Sequence, residues 1–151
     1  MKKFVRTSQE KVRKIAKRCF ENKELFNKID IDTFSNKEAS AGLIIHVDRD
    51  LDYILINKWI ERNIIHAILH EIGHVETYWY RQKSQVEKEL AAQVWAINRA
   101  KKMGWNRVAT AMEEDLIHWG SKEVVHSSWN TRKRRHILAG RLARRRGLVK
   151  V

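Results

Sequence analysis

Ile64-Ile65-His66-Ala67-Ile68-Leu69-His70-Glu71-Ile72-Gly73-His74-Val75, running on through Glu76-Thr77-Tyr78-Trp79-Tyr80, is the stretch from which the rest of the chain can be read. Its isoleucines, with Leu69 and Val75, make a helix over 64–80 apolar on most sides, which places it at the centre of a domain. Residues four apart on a helix differ by only about 40° around the axis, so His70 and His74 can direct their imidazoles at one ion. Glu71 falls at the side of that face, within reach of a water on the ion rather than the ion itself. A buried helix does not carry a glutamate and two histidines without partners for them. Gly73 costs helix stability relative to alanine, so its place inside the motif points to a close approach by a neighbouring element. His66 also lies four residues before His70, but that pair lacks the internal glutamate.

His70-Glu71-Ile72-Gly73-His74 follows the His-Glu-x-x-His pattern of zinc peptidases, in which the glutamate is the general base. Zinc brings the pKa of a bound water to roughly 7, and a carboxylate beside it takes the proton as the water attacks a carbonyl. A catalytic zinc needs a third protein ligand and an open position. The next helical segment offers Glu87 and Glu89, which lie about 200° apart on a helix and cannot both face the metal.

Here the chain resembles the ImmA/IrrE family of metallopeptidases. In that family a glutamate ligand on the following helix is succeeded by an alanine three residues on, then by an aromatic residue and an alanine. Glu89, Ala92, Trp95 and Ala96 match those positions. The resemblance covers roughly residues 43–97 and implies His70, His74 and Glu89 as zinc ligands, Glu71 as the catalytic base and a protein substrate. It also implies a zincin-like α+β domain, mainly helical, with a small antiparallel sheet bordering the active cleft. Tyr78, four residues beyond His74, is a candidate donor to a developing oxyanion if the helix continues that far.

Working outward, Leu43–Val47 and Tyr53–Ile56 are β-branched and apolar, and the acidic turn 48–52 joins them as a hairpin. His46 reads as a strand residue. An exposed edge of this sheet would accept an extended peptide as an added strand. Upstream, residues 7–26 read as one amphipathic helix with Thr7 and Glu10 as a capping box, Val12, Ile15, Ala16, Cys19 and Phe20 on one face, and a basic outer face. Residues 27–41 read as a polar connection. Downstream, the glutamate helix spans 84–103, with Lys101, Lys102 and Gly104 as stop signals. A further helix covers 105–119 and ends near Gly120. Within it Glu114 and His118 read as a surface pair, with His118 an alternative third ligand.

The last segment, about 130–147, is a basic amphipathic helix. Arg132, Lys133, Arg134, Arg135, Arg141, Arg144, Arg145 and Arg146 surround a thin stripe of Ile137, Leu138 and Leu142, and Gly147 ends it. Such a helix suits phosphate or an acidic partner.

The chain has 151 residues and 43% hydrophobic content, which fits one domain with a real core over 1–151. Its net charge of +13 favours polyanionic partners, nucleic acid, acidic protein or anionic lipid, without choosing among them. No run is long and apolar enough to span a membrane, and a single cysteine, Cys19, forms no internal disulfide; a reducing, cytoplasmic setting is the expectation. Together these readings describe an intracellular zinc endopeptidase acting on a protein substrate, with a DNA-associated regulator as the substrate that the resemblance and the charge imply. The contrasting reading is a nucleic-acid-binding protein on an inactive zincin-like scaffold.

Overall fold

The computed structural model describes residues 5–6, 8–35, 42–46, 52–57, 59–60, 64–78, 81–121 and 131–149. In chain order the elements are β1 (Val5–Arg6), α1 (Gln9–Cys19), α2 (Lys23–Lys28), β2 (Asp30–Phe34), β3 (Gly42–His46), β4 (Asp52–Asn57), β5 (Trp59–Ile60), α3 (Ile64–Glu76), α4 (Gln85–Lys102), α5 (Asn106–Ser121) and α6 (Thr131–Arg145). The protein is mainly helical with a small sheet beside α3. Ile68, Leu69, Ile72 and Val75 of α3 are buried, because α1, the sheet and α4 cover the helix on different sides. That enclosure is the physical reason for an apolar surface nearly all the way round it.

The sheet differs from the expected antiparallel one. β3 and β4 pair antiparallel, Ile44 opposite Ile54, but β2 joins the other side of β4 in parallel, Ile31 opposite Ile54, so the sheet is mixed in the order β2-β4-β3. The turn at 47–51 lies outside the described residues. β2 falls inside the stretch read as a polar connection. Its signal was present in Ile29-Asp30-Ile31-Asp32-Thr33-Phe34, an alternation that buries Ile29 and Ile31 while Asp30 stays exposed. A second, two-stranded pairing joins β1 and β5.

The expected helix over 7–26 is two helices. Ser8 is the N-cap of α1, its hydroxyl accepting from the Lys11 amide at 3.3 Å, and Thr7 lies outside the described residues. The chain turns extended at Phe20 and restarts at Asn22, whose side chain accepts from the amides of Glu24 and Leu25. Tertiary partners hold the break. Arg99 of α4 donates to the carbonyls of Cys19, Arg18 and Phe20 at 2.7, 3.1 and 3.4 Å, and Glu76 at the end of α3 accepts from the amides of Glu21 and Asn22 at 2.7 and 3.0 Å. A helix end with its orphan carbonyls met by a guanidinium costs little.

α4 keeps close to its expected bounds, with Ser84 as N-cap and Gly104 at φ +76 beyond its end. α5 ends at Ser121, next to the expected Gly120. That glycine is buried inside the helix, where a Cβ would stand 2.8 Å from the Gly140 carbonyl carbon; a Cβ on Gly140 would stand 2.8 Å from the Gly120 Cα. The two glycines let α5 and α6 cross backbone to backbone. α6 accordingly packs on α4 and α5, burying Ile137, Ala139, Gly140 and Ala143. Among the described residues no helix is long and apolar enough to cross a membrane.

Candidate metal centre

α3 and α4 approach each other at Gly73, where a Cβ would collide with the Ala92 backbone, 2.9 Å from its Cα. The close approach inferred from Gly73 is therefore real, and it is what brings the motif against the glutamate helix. Glu71, His74, Glu89 and Gln93 are each at most 9% exposed. Of the two glutamates, Glu89 turns inward. Glu87 turns outward and pairs with Arg146 at 3.2 Å.

The imidazoles converge on one carboxylate oxygen. Glu89 Oε2 lies 2.9 Å from His70 Nε2, 3.4 Å from His74 Nε2 and 3.1 Å from His136 Nε2. The ligand atoms of His70, Glu89 and His136 all lie within 4.8 Å of one another. Arg135 Nη2 stands 4.0 Å from the other Glu89 oxygen.

His136 is the residue that sequence reasoning missed. It sits on α6, one helical turn before Gly140, so the glycine crossing that seats α6 on α5 also delivers its ring. Trp119, the neighbour of Gly120, packs beside it with ring centroids 4.5 Å apart. The only signal in the sequence was a histidine four residues before a glycine in an arginine-rich segment.

Gln93 sets the state of His70. Its side-chain nitrogen donates to the Met112 carbonyl at 2.9 Å, which leaves its oxygen facing His70 Nδ1 at 2.8 Å. Nδ1 must then carry a proton and donate, so the Nε2 lone pair of a neutral ring points at Glu89. Metal-binding histidines are commonly held by such a partner on the far nitrogen.

With no ion between the groups, a proton can take that place. Burial works to lower the His70 pKa, but the hydrogen bond and charge of Glu89, with help from Glu71 and Gln93, outweigh it and raise it to about 9. Burial likewise works to raise the Glu89 pKa. The hydrogen bonds from His136, His70 and His74, together with the charge on His70, overcome this and hold the carboxyl far below its usual range. His70, Glu89 and His136 form a donor set that could hold a metal ion, with the His74 imidazole 3.4 Å from the same Glu89 oxygen. Glu71 is buried on α3 next to this set, close enough for its charge to act on His70.

Other expectations are corrected. α3 ends at Glu76, and Tyr78 has a positive φ of 52°, so the helical spacing that suggested Tyr78 as an oxyanion donor does not hold; the Arg81 guanidinium lies 4.7 Å over its ring. Glu114 and His118 are both exposed on α5, in line with the surface reading, and His118 is not among the residues whose ligand atoms converge, so it is not the third ligand. Nor is α6 a free basic helix. Arg135 faces Glu89, Arg144 donates to the Ile117 carbonyl at 3.2 Å, and Arg146 holds Glu87, while Arg141 is half-buried. Arg134 and Arg145 are exposed, and the side chains of Arg132 and Lys133 lie outside the described residues. No family model, no curated protein and no solved structure matches this chain.

Proposed function

We propose that the protein is a zinc-dependent endopeptidase of the ImmA/IrrE kind, in which His70, His74 and Glu89 hold the metal and Glu71 is the general base. The observation that carries this reading is the convergence of three residues chosen from spacing and motif: both His-Glu-x-x-His imidazoles lie within 3.4 Å of one oxygen of Glu89. When bound, zinc supplies Lewis acidity, polarising a substrate carbonyl and acidifying water.

The chain's own residues do the rest. Gln93 keeps the His70 Nε2 lone pair turned inward. Glu71 takes a proton from the water as its oxygen bonds to the peptide carbonyl carbon and then delivers that proton to the amide nitrogen, after which the C–N bond breaks and the amine departs. The substrate would be an extended protein segment running beside the sheet, where β3 is an outer strand in contact with α3. A DNA-associated regulator is the substrate class that fits a chain of net charge +13.

Elemental analysis of the purified protein tests the reading first. The wild type is expected to hold about one zinc per chain, as in a mononuclear site, and His74→Ala and Glu89→Ala to lose it. Glu71→Gln should keep zinc while cleavage of an unfolded protein pool falls by about 100-fold or more, the scale of a lost general base. Wild-type protein that takes up no zinc overturns the proposal.

A further inference from the structure

His136 stands in the same relation to Glu89 as the two histidines of the motif. In a tetrahedral zinc centre with metal–ligand distances of roughly 2.0–2.1 Å, neighbouring donor atoms lie about 3.3 Å apart. The separations from Glu89 Oε2, 2.9 Å to His70, 3.4 Å to His74 and 3.1 Å to His136, all lie close to that edge length, while the ligand atoms of His70, Glu89 and His136 span up to 4.8 Å and reach the edge length only when an ion draws the imidazoles together. Its ring is not there by surface accident. The Gly120–Gly140 crossing sets the height of α6, and Trp119 packs against the imidazole face, which fixes the direction of Nε2.

From this geometry we propose that His136 is a fourth protein ligand of the metal centre, supplied by α6; the inference rests on the zinc reading above. A centre with four protein donors has no position for water. Glu71 then has nothing to deprotonate until His136 leaves, and leaving requires its ring, or α6 with it, to move from Glu89. The C-terminal helix is thereby the part that opens and closes the centre.

The test counts ligand histidines in the wild type and then removes one. On addition of one equivalent of zinc, the 15N resonances of three imidazole Nε2 atoms should shift together. His136→Ala should weaken zinc binding, measured by competition with a chromophoric chelator, by at least the tenfold that loss of a mere supporting partner commonly brings. The Co2+-loaded variant should also show weaker and shifted visible absorption as a water replaces an imidazole. His118→Ala, on the exposed side of α5, should match the wild type in both measurements. Only two shifting imidazoles, with unchanged affinity and cobalt spectrum in His136→Ala, overturns the fourth ligand and leaves a three-ligand zinc site standing. No zinc binding by the wild type overturns both proposals. If circular dichroism shows His136→Ala to be unfolded, the wild-type imidazole count decides.

Discussion

At the scale of single residues, the proton and the metal compete for His70. A folded pKa of about 9 against an ordinary 6.5 means that a proton on His70 stabilises the metal-free fold. The sign follows from linkage: this contribution is complete below about 6.5 and lost as pH rises through about 9. Glu89 works the other way, its depressed pKa stabilising the fold above the ordinary carboxylate range and failing only in strong acid. Thermal melts of chelator-treated protein should therefore show stability declining from pH 6.5 to 9, and zinc should reverse the decline. Over the same window apparent zinc affinity should climb, by up to about tenfold per pH unit for the one proton displaced from His70. Gln93→Ala removes the partner of His70 Nδ1 and should weaken zinc binding by roughly 10–100-fold without removing a ligand. Cys19 has no such chemistry: burial pushes its thiol up to about 12 against the opposing charges of Arg99, Arg18 and Lys23, so thiol reagents should label it only after unfolding. His70, Glu71 and His74 were legible because four-residue spacing is a local property. Glu89 needed a motif to separate it from Glu87, and His136 needed the fold.

At the scale of elements, helix packing explains what was readable and what was not. α3 and α4 kept their expected starts because apolar periodicity and an N-cap serine are written locally. The stretch after Glu76 was misread because Tyr78 adopts a left-handed backbone that no periodicity reveals. α6 was read as a helix with nearly its true bounds, but its packing face was not, because that face is built from Ala139, Gly140 and Ala143 as well as Ile137, and small residues leave almost no hydropathy signal beside so many arginines. Those small residues are where substitution should hurt. Gly140→Ala places a methyl 2.8 Å from both the Gly120 Cα and the Leu116 carbonyl oxygen, so one helix must shift. We expect a loss of about 1–3 kcal/mol in denaturant unfolding, the usual cost of overpacking, with zinc affinity falling as His136 is carried away from Glu89. Arg99→Ala strips the C-terminal carbonyls of α1 of a half-buried charged donor and should cost about 1–3 kcal/mol.

At the scale of the whole molecule, α3 is the axis: the sheet and α1 cover one side of it, α4 to α6 the other, and the buried residues of both sides form one core. A central apolar helix was evident from its sequence, and so was a mainly helical chain with a small sheet. The mixed pairing was not, because the partner of β4 on its parallel side lies beyond β3 in the chain, where no hairpin turn marks the pairing. The basic charge was legible as a total, but its distribution was not, since several arginines of α6 serve internal carboxylates and carbonyls.

One consequence of the Gly120–Gly140 crossing concerns the order in which the centre assembles. α3 and α4 are consecutive helices, and their contacts close a short loop; His136 must return across the whole of α5, and non-local contacts of that kind form late. On the fourth-ligand reading, a refolding chain therefore holds His70, His74 and Glu89 around the ion while one side of it still faces solvent. On the same reading, lifting α6 would return the protein to that half-built arrangement, so a late stage of folding and the opened centre would be one structure reached from opposite directions.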